Sequence, residues 1–279
     1  MHERELLEWV VLVEDRIGVS ISPQRTTFLL RGLCKRMRAS GFRCYGDYYR
    51  HMCLKSRHSE EWVLLADLLT VHETRFFRHG PSMELVREMA MDESTWTERG
   101  FHAWSAGCAT GEEAYSLAML IDSCRPQGVP NPRYRVTGTD MSLPSLRHAR
   151  AGVYLWHRAR NISEPFLEKY CRPESRTRFA INAELQKNVS FFPLNLRDSV
   201  RAPFSGLDLI FCQNLLIYYD RLRRLQIVDR LAEFLRHGGV LVLAAGEIHD
   251  WRHPSMEKVR FDDAVAYRRT DQKHAVLND

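Results

Sequence analysis

The hydrophobic rhythm of the chain changes about a third of the way along. Up to about residue 70 the apolar positions recur at helical spacing. Phe28, Leu29, Leu33 and Met37 make one apolar stripe, as a helix packed on a core requires. Ser22-Pro23 precedes the stripe, a capping residue followed by a proline at the first helical position. Ser40-Gly41 closes it. Further helices are expected at about 2–17, 45–55 and 59–70. From about residue 100, short apolar runs alternate with amphipathic ones. Residues 101–106, 134–140, 207–214 and 240–245 read as buried strands. Helix-like segments follow Glu112 and Ser142, and a third spans 220–236 and stops at His237-Gly238-Gly239. Such alternation predicts a parallel sheet with helices on both faces. The segment 259–270 reads as a hairpin turning at Asp262-Asp263, and RFAIN (178–182) and VSFFP (189–193) predict a small antiparallel insertion at about 171–194. The expected organisation is a helical domain over 1–75 and an α/β domain over 76–279.

Composition narrows this picture. Of 279 residues, 44% are hydrophobic and 27% charged, enough for a core of ordinary size. No run of 18 apolar residues is present, so no membrane insertion is expected. The start, MHERELLEWV, does not read as a secretory signal. Seven cysteines without a C-x-x-C pair argue against a disulfide framework and against a metal site, and suit a reducing cytoplasm.

Charge is unevenly placed. Between Ser22 and His58 lie nine basic side chains and one acid, Asp47, while the whole chain carries only +5. Arg31, Lys35 and Arg38 recur at i, i+4 and i+7, so they share one helix face. A patch of one sign suits an acidic protein, a nucleic acid or an anionic surface. A merely solvated helix face is the equally weighted plain reading.

The first strand runs into Ser105-Ala106-Gly107-Cys108-Ala109-Thr110-Gly111-Glu112-Glu113. In doubly wound sheets ligands bind at such carboxyl ends. Only Gly107 and Gly111 are glycines there, so the dinucleotide G-x-G-x-x-G fingerprint is absent. Acids opening the helix disfavour pyrophosphate, which seeks bare N–H groups. They suit a cation such as S-adenosylmethionine, with its sulfonium and ammonium. Asp140, at the tip of the second strand, is placed to accept from ribose hydroxyls. Each feature alone is weak: a glycine turn can be only a turn, and a strand-end Asp only a helix cap.

Together the segments are specific. LLTVHETRFFRH (68–79), WSAGCATGEEAYSLAM (104–119), GTDMSLPSLRHARAGVY (138–154), NLRD (195–198), FCQNLLIYYD (211–220) and LRHGGVLVLAAGE (235–247) follow one another along the chain. In that order they resemble the chemotaxis receptor glutamate methyltransferases, the CheR family. VHETRFF looks most like the branch serving type IV pilus chemosensory systems, the PilK-like proteins. The resemblance implies an all-helical N-terminal domain, a Rossmann-like class I methyltransferase domain and a β-subdomain inserted in it. It implies methyl transfer from S-adenosylmethionine to receptor glutamates, with S-adenosylhomocysteine as product and no metal. Cofactor contacts would fall on His72, Thr74, Arg78, Gly107, Glu113, Asp140, Asn195, Leu196, Cys212 and Gln213, and Tyr218 would lie beside the transferring methyl, with Arg78 assisting. Arg31, Lys35 and Arg38 would dock the receptor's cytoplasmic helices. A cytoplasmic monomer recruited to receptor arrays is expected.

Two residues depart from the family pattern. His72 stands where many members carry Asn, and Gln213 where many carry Arg. An imidazolium at position 72 would weaken binding of a cationic cofactor as pH falls through the imidazole range; a neutral imidazole replacing the amide is the plainer reading. Without the Arg, orientation of the substrate would fall to Tyr218, Arg75 or Arg78. A nucleic-acid methyltransferase is the first competing reading, but the Asn/Asp-Pro-Pro-aromatic turn it needs is replaced by Cys212-Gln213-Asn214-Leu215-Leu216. A cofactor-binding signalling module without turnover is the second.

Overall fold

The computed structural model describes residues 2–57, 59–70, 73–96, 98–129, 132–202 and 204–270. Four helices come first: α1 (Glu3–Ile17), α2 (Thr26–Ala39), α3 (Tyr45–Leu54) and α4 (Glu60–Leu69). They enclose a core of Trp9, Leu29, Leu33, Tyr48, Trp62 and Leu65. Gly32 lets α2 and α4 touch, since a Cβ there would stand 2.9 Å from Leu69 Cδ2. Arg36 Nε and Nη2 donate to Glu61 at 3.1 and 2.6 Å, and the Tyr48 hydroxyl donates to the same carboxylate at 2.7 Å. One expectation is corrected: Ser22 makes no side-chain capping bond, and Pro23 opens a 3₁₀ turn over Pro23–Arg25 before α2 begins.

After α5 (Gly80–Met91) comes the α/β unit: β1 (Phe101–Ala106), α6 (Glu112–Ser123), β2 (Tyr134–Asp140), α7 (Leu143–Ala151), β3 (Val153–Leu155), α8 (Glu164–Tyr170), β4 (Cys171–Pro173), β5 (Arg178–Ile181), α9 (Ala183–Gln186), β6 (Val189–Pro193), β7 (Leu207–Cys212), α10 (Arg221–Phe234), β8 (Leu235–Leu243), β9 (Met256–Phe261) and β10 (Ala264–Arg269). The main sheet has the order β6-β2-β1-β7-β8-β10-β9. Its first five strands are parallel, and β10 pairs antiparallel with both β8 and β9. The fold is therefore a helical domain followed by a Rossmann-like sheet. One core lies on each face: Leu117, Val136 and Phe211 belong to one, Trp104, Ile210 and Leu231 to the other.

The antiparallel insertion differs from its expected bounds of 171–194. It is the three-stranded sheet β3-β5-β4, so its first strand lies before residue 171. VSFFP instead forms β6, which pairs parallel with β2 from Val136↔Val189 to Asp140↔Pro193.

Strand order reverses between β1 and β7, and the helical domain packs over that end. Ser20 N donates to the Tyr218 carbonyl at 2.7 Å, and Asn195 Nδ2 donates to the Ile17 carbonyl at 2.8 Å. Arg57 pairs with Asp198 at 3.0 Å, and the Ser142 hydroxyl donates to Asp67. No helix among the described residues is long and apolar enough to cross a membrane.

Candidate functional site

A cleft, open at its mouth, lies where these contacts meet the ends of β1, β2 and β7. Its floor follows from the glycine turn. Gly107 has φ +81, and a Cβ there would stand 2.6 Å from Leu215 Cδ2. A side chain would thus both strain the backbone and push Leu215 aside. Asp140 closes the floor: its Oδ2 accepts from Ala109 N at 2.9 Å and its Oδ1 from Ser142 N at 2.8 Å. The carboxylate is thereby held at the strand tip. Glu113, from the first turn of α6, accepts from the Ser105 hydroxyl at 2.6 Å. Burial pushes its carboxyl up to about 8, against the opposing pull of the Ser105 bond and the Arg78 charge.

The cleft's side wall is the segment 73–78, which carries Glu73, Thr74 and Arg78. This loop has no regular pairing of its own, and three side chains hold it. Arg158, beyond β3, donates from Nη1 to the Thr74 carbonyl at 2.8 Å, and Asn161 Nδ2 donates to the Phe76 carbonyl at 3.2 Å. The Ser116 hydroxyl accepts from Phe77 N at 3.0 Å, where Phe77 takes φ 48. The same Arg158 lies 3.8 Å from buried Glu112. The 3₁₀ turn after β3, Trp156–Asn161, and α6 thus brace this wall.

Opposite stands the turn after β7. Asn214 adopts φ 58, and a 3₁₀ turn over Leu216–Tyr218 follows. Tyr218 is gripped from the helical domain: Ser20 N donates to its carbonyl, and the Arg25 guanidinium lies 5.1 Å from its ring centroid. Arg25 is itself anchored, donating from Nη2 to the Leu69 carbonyl at 3.0 Å.

A family model described as "CheR methyltransferase, SAM binding domain" matches residues 72–264, and one described as "CheR methyltransferase, all-alpha domain" matches residues 4–70. The chain belongs to the CheR methyltransferase family. Similar curated proteins include the chemotaxis protein methyltransferase of Escherichia coli K12, 29% identical over 248 residues, which is 87% of this chain and 82% of that one. The chemotaxis protein methyltransferase of Borreliella burgdorferi is 27% identical over 249 residues, 87% of each chain. Chemotaxis protein methyltransferase 1 of Pseudomonas aeruginosa PAO1 is 27% identical over 263 residues, 92% of this chain and 95% of that one.

The donor set of the cleft fits the S-adenosylmethionine of a CheR methyltransferase. Two buried carboxylates meet a bare glycine turn, so a cationic ligand can approach the backbone closely. Of the residues expected here, Thr74, Arg78, Gly107, Glu113, Asp140, Asn195, Leu196, Gln213 and Tyr218 all line the cleft. Three placements differ in detail from the expectation. Asn195 spends its side chain on the scaffold, donating to Ile17 and accepting from Arg197 N at 3.0 Å. The Gln213 amide donates to the Ser82 hydroxyl at 2.8 Å and the Leu243 carbonyl at 3.1 Å, so both its N–H groups serve the fold. Cys212 turns into the core with Trp104 and Leu216, where burial pushes its thiol up. His72 lies outside the described residues. Arg75 is exposed and away from the cleft lining. Arg31, Lys35 and Arg38 are exposed on α2, on the domain whose Arg25 touches Tyr218. Sequence reading missed Arg158 and Asn161, which lie far along the chain from the loop they hold. Ser105 was within the quoted glycine segment but carried no spacing signal.

Proposed function

We propose that this chain transfers the methyl group of S-adenosylmethionine to glutamate side chains of a methyl-accepting chemosensory receptor, forming methyl esters. The setting would be adaptation in chemotaxis or in pilus-driven motility, as the VHETRFF segment suggests. One observation carries the reading: a cleft with two buried acids faces a clamped tyrosine, and the domain that clamps it presents exposed cations.

Thr74, Arg78, Gly107, Glu113, Asp140 and Leu196 would hold the cofactor, with Asn195 and Gln213 supporting the walls. When bound, S-adenosylmethionine supplies a methyl carbon on a positively charged sulfur, and S-adenosylhomocysteine departs. Asp140 would accept from the ribose hydroxyls, and Glu113 would meet the ammonium. A glutamate side chain, with pKa near ~4.3, is already ionised at neutral pH. The attacking oxygen therefore needs no general base. What the chain's residues contribute is alignment, which can supply on the order of 7–11 kcal/mol when geometry is well fixed. The Tyr218 hydroxyl would donate to the substrate carboxylate and orient it without adding a charge that would repel the sulfonium. Arg31, Lys35 and Arg38 would steer an acidic receptor helix toward the mouth.

The test is transfer of radiolabelled methyl into a cytoplasmic receptor fragment, followed by alkaline release. Base-labile label is expected, falling about 10- to 100-fold in Tyr218→Phe if one aligning hydrogen bond is lost. Cofactor binding without any label would overturn the reading in favour of a signalling module.

A further inference from the structure

Tyr218 sits at the end of a three-residue 3₁₀ turn, an element too short to fix its own orientation. The clamp from the helical domain reaches its carbonyl and its ring face. The backbone leading into it is held from the other side, by Glu247. This residue follows β8 and is 2% exposed. Its Oε1 accepts from Leu216 N at 2.9 Å and its Oε2 from Ala244 N at 3.1 Å. Burial pushes this carboxyl up, against the opposing pull of the backbone N–H groups of Ala244, Leu216, Ile217 and Asn214. Leu216 belongs to the turn that ends in Tyr218, two residues after Asn214 with its left-handed backbone. The main chain of Glu247 is tied in as well: Arg224 Nη1 donates to its carbonyl at 3.0 Å, while Arg224 Nε donates to the Tyr219 carbonyl at 2.8 Å. Backbone on both sides of Tyr218 is thus referred to one buried carboxylate and its neighbouring guanidinium.

The chemistry of the residue matters. Two N–H groups, one on each oxygen, require a group that accepts at both ends. A carboxylate does so and an amide does not, because its NH₂ would face one of the donors. Glu247 itself lies behind the cleft lining.

We propose that Glu247 is a positioning residue for methyl transfer: its carboxylate sets the Asn214–Ile217 turn and thereby aims Tyr218 at the substrate, without touching either reactant. This rests on the role assigned above to Tyr218. A displacement of about 1 Å at a reacting group can cost on the order of 100-fold in rate. Glu247→Gln in the full-length protein is therefore expected to lower kcat about 10- to 100-fold, with cofactor Kd within about twofold of wild type. Hydrogen exchange should speed up at residues 214–219 and stay unchanged in the other strands. In the Tyr218→Phe background the same substitution should cost almost nothing further, because the two residues act as one unit. Should Glu247→Gln give too little folded protein, Arg224→Met enters the same cycle with the same expected non-additivity. Independent, multiplying effects of the two substitutions overturn the inference, as does cofactor binding lost in proportion to activity. A wild-type chain that labels no receptor fragment would instead overturn the functional reading, and exchange at 214–219 unchanged by Glu247→Gln would sink the inference regardless of activity.

Discussion

Glu113 and Asp140 line the cleft with 9% and 8% of their surface exposed, whereas Arg31, Lys35 and Arg38 stand in solvent on α2. Both regions are built from ionisable side chains, and the physics differs. In the cleft, each carboxylate is removed from water and must be matched by fixed partners: Ala109 and Ser142 for Asp140, Ser105 and the Arg78 charge for Glu113. Such groups are costly to disturb. On α2 the cations are hydrated, and any attraction they exert is long-ranged, weak per residue and screened by salt. Buried charge can hold a ligand in one geometry, while exposed charge can only raise the frequency of encounters.

Substitutions should separate the two regions, beginning with Asp140. Asp140→Ala leaves two backbone N–H groups without their acceptor, at about 1–3 kcal/mol each, and removes the proposed ribose contact. Cofactor affinity measured by calorimetry should fall about 100-fold or more; near-normal affinity would remove Asp140 from the site. Gly107→Ala should be next. It places a side chain at φ +81 against Leu215, and the left-handed backbone alone costs about 1–2 kcal/mol. For a chain of this size a Tm loss of about 2–8 °C follows, together with weaker cofactor binding. An unchanged melting curve would mean the turn is looser than it looks.

The Glu113 carboxyl gives a pH signature. Its folded value, pushed up to about 8 from an ordinary 4.5 by burial, means the folded protein holds this proton where the unfolded chain has lost it. Its contribution to folding stability is complete below about 4.5 and is lost as pH rises through about 8. Binding of a cation favours the ionised form, so the sign for the cofactor is opposite: affinity should rise toward pH 8, by at most about tenfold per pH unit, with a proton released on binding. Glu113→Gln should flatten this slope. If Glu113→Gln keeps the slope and His72→Asn removes it, the titrating group is the imidazole. The smallest effect is expected on α2. Replacing Arg31, Lys35 and Arg38 together by Gln should slow receptor methylation roughly three- to tenfold at low ionic strength, leave cofactor Kd unchanged, and lose its effect in high salt. A salt-independent defect would point to a packing role instead.

The main sheet was legible because strands buried on both faces read as continuous apolar runs, as in residues 209–212, whose side chains are all buried. The misplaced insertion has an equally physical origin. β6 is the edge of the main sheet: Phe191 is buried while Phe192 is exposed, and such a half-exposed strand alternates like one of an antiparallel pair. Its Pro193 is tolerated because an edge has no further partner. β3 is three residues long, too short to show any period. In the cleft, Gly107, Glu113 and Asp140 could be singled out because small residues and acids at strand ends have few other uses together. Cys212 and Gln213 could not be oriented, since successive strand residues point to opposite faces and only the packed neighbours decide which face is core.

The sequence by itself determined the local elements, the alternation that makes a parallel sheet, the glycine turn with its two acids, and the basic stripe of α2. These depend on neighbours a few residues apart, where helical and strand periods and backbone sterics act directly. The tertiary structure alone decided what aims and braces the site. Arg158 holds Thr74 across 84 positions, Ser20 and Arg25 grip Tyr218 from another domain, and Glu247 gathers the backbone of a turn some 30 positions away. Such bonds join groups brought together only by packing, and no spacing along a chain records them.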